Sequence, residues 1–228
     1  MRLIVFDCET TGLPGKVDNL TQSNSKVIKY TPTGEVVQLS ALVLKDDFEI
    51  EDFISFYCMP TEPISDGASS VHRITNYSIE SLSRGRNLED YLLNDYKDLF
   101  YSKGNVYIGY NVRFDTRIVN QTLKNFNNKK IDFGVLTDTL TGLDEGRNYT
   151  LDLMELFKNR SSFLGIPKLR YNVKLANAIE LLGLNGYLDN FHKLLMNKFH
   201  RVERGDFHNA EFDVSATALL LNAMKGVI

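Results

Sequence analysis

The stretch Arg2–Asp7 constrains this chain most. Leu3-Ile4-Val5-Phe6 is an unbroken apolar run, closed at one end by Arg2 and at the other by Asp7. A run this short, ending in polar residues, fits a buried β-strand. It leads directly into Asp7-Cys8-Glu9. Residues i and i+2 of a strand point to the same side, so both carboxylates aim into one space. That space lies at the carboxyl end of the strand, where sites on α/β sheets form. Two carboxylates held together repel unless a cation sits between them, and hard oxygen ligands suit Mg²⁺ or Mn²⁺.

Periodicity extends the map. Val36–Leu44 and Phe53–Cys58 read as strands, with Asp46 and Asp47 at the turn between them. Asn105–Gly109 is a short strand, and Val135–Thr137 is the core of a fifth. Helical spacing marks Leu88–Phe100, Phe114–Phe126, Leu151–Phe157, Val173–Leu182, Asp189–Phe199 and Ala210–Met224. Three early strands followed by alternating helices and strands predict an α/β domain with a mixed sheet of five strands flanked by helices. At 228 residues the chain is expected to form one domain over 1–228. Leu13–Gly34, rich in Pro, Gly, Asn, Ser, Thr and Lys, reads as a long loop. Ser161–Arg170 reads as another.

Composition narrows the functional classes. Hydrophobic residues at 43% and charged residues at 24% exclude a disordered or fibrous chain. No apolar run approaches a membrane span, and Asp7 interrupts the N-terminal apolar stretch too early for a signal peptide. Two cysteines, Cys8 and Cys58, cannot build a disulfide framework, so a reducing cytoplasm is the expected location and no membrane is expected as a partner. The formal charge of -3 opposes a nucleic-acid partner overall, so a local patch must supply any attraction. Residues 158–204, a basic and largely helical segment, supply one, with 9 basic residues against 3 acidic.

Two further motifs follow the strands and helices. Gly109-Tyr110-Asn111-Val112-Arg113-Phe114-Asp115 leads from a strand into a helix, with Asp115 in the first turn, where the helix dipole favours a carboxylate. In His208-Asn209-Ala210-Glu211-Phe212-Asp213 the ends lie five residues apart, which inside a helix is a turn of about 140°. His208 and Asp213 therefore converge only if His208 precedes the helix, with Asn209 as N-cap. Taken alone, each motif also fits a plain structural role: a strand end, a capping Asp, a surface His.

Taken together, and in this order, Phe6-Asp7-Cys8-Glu9-Thr10-Thr11-Gly12-Leu13, Asn111-x-x-Phe114-Asp115 and His208-x-Ala210-x-x-Asp213 resemble the DEDDh (DnaQ-like) 3′–5′ exonucleases, a family with a ribonuclease H-like fold. The fragments Val71-His72-Arg73-Ile74-Thr75 and Thr137-Asp138-Thr139-Leu140 resemble family motifs as well. Three departures stand out: Tyr110 where a His is frequent, Arg73 where a Gly is usual, and Gln38 where many members carry an acid. The resemblance implies that Asp7, Glu9, Asp115 and Asp213 hold two Mg²⁺ or Mn²⁺ ions, with Asp7 bridging, and that His208 is the general base. It further implies that Thr10 and Thr11 meet the sugar and 3′ end of the last nucleotide, and that Leu13, His72 and Phe114 pack on the terminal bases. Arg170, Tyr171 and Lys174 are the nearest candidates for a phosphate track.

The implied activity is metal-dependent hydrolysis of single-stranded 3′ ends, DNA favoured, releasing nucleoside 5′-monophosphates. The alternatives are an exoribonuclease or oligoribonuclease-like enzyme trimming RNA, and a nucleic-acid-binding module without catalysis. A proofreading role requires a separate polymerase as partner. By the same reading Asp138 is a structural cap, Cys8 a packing residue, and His192 and His200 surface residues.

Overall fold

The structure is a computed structural model that describes residues 1–13, 18–19, 29–30, 34–126, 130–202 and 206–228. The predicted first strand is longer than its apolar run: β1 spans Arg2–Thr10 and carries the acidic pair within it. β2 (Asp18–Asn19) and β3 (Lys29–Tyr30) pair as a short antiparallel ladder within the expected 13–34 loop, most of which lies outside the described residues. β4 (Val36–Lys45) and β5 (Ile50–Tyr57) follow as a hairpin.

Helices α1 (Asp66–His72), α2 (Ser78–Ser83), α3 (Leu88–Asp90) and α4 (Lys97–Phe100) come next, the last two joined by a wider helical turn at Tyr91–Asp95. β6 (Asn105–Gly109) then runs into α5 (Val112–Asn125). β7 (Val135–Thr137), β8 (Tyr149–Asp152) and α6 (Leu153–Arg160) follow. The remaining helices are α7 (Leu175–Leu181), α8 (Asn185–Lys198) and α9 (Ala210–Ala223).

The main sheet is mixed and has six strands in the order β5-β4-β1-β6-β8-β7, one more than the sequence predicts. β1 is antiparallel to β4 and parallel to β6, and β8 lies parallel between β6 and β7. The unpredicted strand is β8. Its four residues run into α6 with no Gly or Pro between them, so the apolar pattern from Leu151 onward reads as one helix. Asp152 marks the true boundary by capping α6, its side chain accepting from the Met154 N–H.

Alternation along β1 divides the interior. Leu3 and Val5 pack into a core with Leu42, Ile108, Leu156, Ile179, Phe212 and Leu220, beneath α6 to α9. Ile4, Phe6 and Cys8 pack into a second core with Leu39, Tyr107, Val112, Ile118 and Leu123, beneath α5. Asp7 and Glu9 continue the Leu3–Val5 side, which brings them toward α9. At Gly109 the chain must pass close to β1: a Cβ there would stand 2.9 Å from the Val112 Cβ and 3.1 Å from the Phe6 carbonyl oxygen. That close approach sets α5, and with it Asp115, against the end of β1. Among the described residues, no helix is long and apolar enough to cross a membrane.

Candidate active site

The strand pairing positions the first two acids. Glu9 stands opposite Gln38, and between Glu9 and Thr10 the register with β4 shifts. Such a bulge bends a strand end and re-aims its side chains. The third acid comes from the other end of the chain. Asn209 caps α9 by accepting from the Glu211 N–H, and Asp213 follows in the first turn. His208 precedes the helix in a left-handed conformation, φ 68°, and its N–H donates to Asp213 Oδ2 at 3.0 Å. The convergence that the spacing demanded is therefore met, with His208 outside the helix. Carboxylate oxygens of Asp7, Glu9 and Asp213 lie within 4.8 Å of one another. Asp115 approaches from α5, is itself buried, and accepts from the Cys8 N–H at 3.1 Å.

These acids behave as one electrostatic group. Burial, then the charges of Asp115, Asp213 and Glu9, hold the Asp7 carboxyl well above the usual carboxylate range. Burial and the charge of Asp213 push Glu9 up to about 8. Burial pushes Asp213 up to about 7, against the opposing hydrogen bond from His208. Burial raises Asp115 too, tempered by its backbone hydrogen bonds. Four crowded carboxyls with no basic side chain among them are a poor structural motif and a good cation site. An all-oxygen donor set of this charge fits Mg²⁺ or Mn²⁺.

Two grooves open onto the acids, and a third runs beside them. The first, of about 410 Å³, is lined by Glu9, Thr10, Leu13, His72 and Phe114. The second, of about 450 Å³, is lined by Asp7, Tyr110, Lys174, His208 and Asp213. The third, of about 670 Å³, lies between His72 and His208 and includes Gln38, Arg73 and Asp206. Four of the five expected substrate contacts thus share one groove with Glu9.

Their roles differ in detail. Leu13 is 46% exposed at the groove lip, and Phe114 is half-buried beneath it. The Thr10 hydroxyl donates to the Gly12 carbonyl. His72 Nε2 is 3.0 Å from the Thr10 carbonyl, and its Nδ1 accepts from the Ile74 N–H. Both ring nitrogens are therefore engaged, Nε2 carrying the proton, and burial holds the ring below the usual histidine pKa. His72 braces Thr10 and presents a ring face to the groove.

Thr11 departs from expectation. It is fully buried, its hydroxyl donates to Glu62 and accepts from the Glu35 N–H, and its carbonyl accepts from the Ser65 N–H. It ties the end of β1 to the neighbouring loops, and its side chain lines none of these three grooves.

His192 also departs. It is buried on α8, with Nδ1 2.9 Å from Ser215 Oγ and its ring edge-on to Phe212. His200 is exposed, as expected. Cys8 is buried and its thiol is raised well above its usual pKa by burial and the neighbouring carboxylates, which leaves it a packing residue. Asp138 is exposed, 3.9 Å from Arg160.

Two unusual residues acquire partners that no motif forecast. Arg73 caps α1 in a left-handed conformation, φ 63°, and pairs with Asp206 at 2.9 Å. The Tyr110 hydroxyl donates to the Val173 carbonyl at 2.6 Å. Their only signal in the sequence is that both depart from the family pattern.

Comparison with known proteins gives the family and the fold. Residues 4–221 match the RNase_T family, described as "Exonuclease". The chain is 28% identical over 213 residues to the protein named DNA polymerase III subunit epsilon of Buchnera aphidicola subsp. Acyrthosiphon pisum, covering 86% of this chain and 83% of that one. Escherichia coli exonuclease I, solved with a dA16 oligonucleotide, superposes with a TM-score of 0.66 at 16% identity over 99% of this chain. Exonuclease I from Methylocaldum szegediense superposes with a TM-score of 0.66 at 13% identity. The chain spans 41% of the length of the E. coli exonuclease I chain and 40% of the M. szegediense one.

Proposed function

The chain belongs to the RNase_T family of exonucleases, and from that premise we propose that it removes nucleotides from single-stranded 3′ ends, DNA favoured, as nucleoside 5′-monophosphates. The observation that carries the reading is the group Asp7, Glu9 and Asp213, with oxygens within 4.8 Å, beside buried Asp115 and below exposed His208. Asp7, Glu9, Asp115 and Asp213 would hold two divalent ions, Mg²⁺ or Mn²⁺, which supply charge neutralisation at the phosphate and a more acidic water.

The chain's own groups do the rest. His208 stands at the rim of two grooves with Asp213 fixing its backbone, so its imidazole takes a proton from the attacking water. Leu13 and Phe114 give the first groove apolar walls for the terminal base, an interaction that tolerates any sequence. Thr10, braced by His72, lies beside Glu9 where the terminal sugar would sit. The whole of 1–228 acts as one exonuclease domain. The relative named as a polymerase subunit supports a separate polymerase partner, and a DNA-directed role supports a cytoplasmic location.

The test is a time course on a 5′-labelled DNA single strand and its RNA counterpart, with Mg²⁺, Mn²⁺ or EDTA. A metal-dependent ladder shortening from the 3′ end, faster on DNA and absent in Asp7→Ala, is expected. A faster RNA ladder would reassign the substrate to RNA. Binding without cleavage in every metal would overturn the enzymatic reading.

A further inference from the structure

The second groove leads away from the acids toward a segment that the catalytic reading does not use. Asn172, Val173 and Lys174 line it together with Asp7 and Asp213. The residues leading up to them form an exposed lip. Lys168, Arg170 and Lys174 are all exposed, none forms a salt bridge among the described residues, and no acid occurs from Gly165 to Ile179. Tyr171 stands among these cations, 80% exposed. A large aromatic so open to water, flanked by unpaired cations, is a poor surface residue and a good stacking platform.

The lip is also held in place. Tyr110, which follows β6, reaches across to the Val173 carbonyl at 2.6 Å, and Asn172 Nδ2 donates to Glu155 Oε1 at 3.0 Å. The segment is thus anchored at both walls while Arg170 and Tyr171 remain free to meet a ligand. The acids repel a polyanion, so a strand reaching them needs compensating positive charge beside the groove. The lip places that charge where the groove opens.

We propose that Lys168–Lys174 is the track for the single strand on the 5′ side of the scissile phosphate, with Lys168, Arg170 and Lys174 on successive phosphates and Tyr171 stacked on a base. This rests on the exonuclease reading. In it, the first groove takes the terminal nucleoside and the second takes the strand that follows. Tyr110, by holding Val173, is a positioning residue for the track.

The experiment compares KM for a 16-nucleotide DNA with KM for a dinucleotide, across salt concentrations, using the 228-residue chain with Mg²⁺. Wild type is expected to favour the longer strand. Tyr171→Ala should raise KM for the 16-mer by roughly tenfold and shrink the long-to-short ratio. Lys168→Ala/Arg170→Ala should flatten the log–log salt dependence of 16-mer binding by about 0.7 for each phosphate that is no longer neutralised. Tyr110→Phe, which keeps the ring and removes only the hydroxyl, should weaken the length preference to a smaller degree. Wild type active on both substrates, with a length preference these variants leave intact, would overturn the track alone. Equal KM values for both lengths in wild type would do the same. Wild type inactive on both would overturn the exonuclease reading and the track with it.

Discussion

Replacing Glu9 by Gln removes one charge from the acidic group with almost no change of shape. The raised pKa of Glu9 comes from burial and a neighbouring charge, and no hydrogen bond contributes to it. In metal-free protein Glu9 is pushed up to about 8 from an ordinary value of 4.5 by burial and Asp213. A group whose pKa rises on folding binds its proton more tightly in the native state. Its contribution is therefore fully present below pH 4.5 and disappears as pH rises through about 8. At ~1.4 kcal/mol per tenfold change, the ionised Glu9 costs the folded metal-free chain on the order of 4 kcal/mol at pH 8. Glu9→Gln escapes this cost.

In EDTA at pH 8 the variant should melt well above wild type, at about 2–4 °C per kcal/mol for a chain of this size. At pH 4.5 the two should melt together. Saturating Mg²⁺ should reverse the order, because binding stabilises the intact site and the variant lacks a ligand. The assay is thermal unfolding followed by circular dichroism from pH 4.5 to 8.5, with EDTA or Mg²⁺. A Glu9→Gln protein less stable than wild type in EDTA at pH 8, or a difference that ignores pH, would refute the electrostatic account of the site.

Thr11→Val should lower stability by roughly 2 kcal/mol, since it strands the buried Glu35 N–H and removes one hydrogen bond from Glu62, whose oxygen keeps the Gly34 N–H, while kcat/KM of the folded protein stays near wild type; a large fall in kcat/KM with stability intact would return Thr11 to the substrate groove. Arg73→Ala and Arg73→Gly both break the exposed pair with Asp206, worth about 0–1 kcal/mol, but only Gly relieves the left-handed backbone, so Gly should be the more stable of the two by about 1 kcal/mol in urea melts. Equal stabilities would show that Arg73 sits there without strain. His208→Ala should keep the Mg²⁺-induced rise in melting temperature and reduce turnover by roughly 100-fold or more, whereas Asp7→Ala should abolish both; a His208→Ala protein with unchanged turnover would remove it as the base.

Local rules reached some of this structure and not the rest. Asp7 and Glu9 were legible because strand geometry alone puts i and i+2 on one side. Asp115 and Asp213 were not legible in that way: nothing local says that the first turns of α5 and α9 lie against the end of β1, and only the ordered likeness to a known family joined them. β8 was hidden because a four-residue strand passing straight into a helix leaves no break in the pattern. The resemblance assigned Thr11 to the substrate, yet Thr11 directly follows β1 and its hydroxyl is buried between Glu62 and the Glu35 N–H. His192 lacked any motif, and burial of a polar ring on α8 depended on Ser215, a partner 23 residues away.

The joining of β1 to α9 has a temporal side. Ribosomes add ~5–20 residues per second, so ~200 residues separate the synthesis of Asp7 from that of Asp213 by tens of seconds. Throughout that interval the nascent polypeptide holds Asp7 and Glu9 without Asp213 or His208, and β1 lacks the helix that covers its Leu3–Val5 side. The acidic group of Asp7, Glu9 and Asp213 is therefore complete only after α9 has been made and has packed against β1.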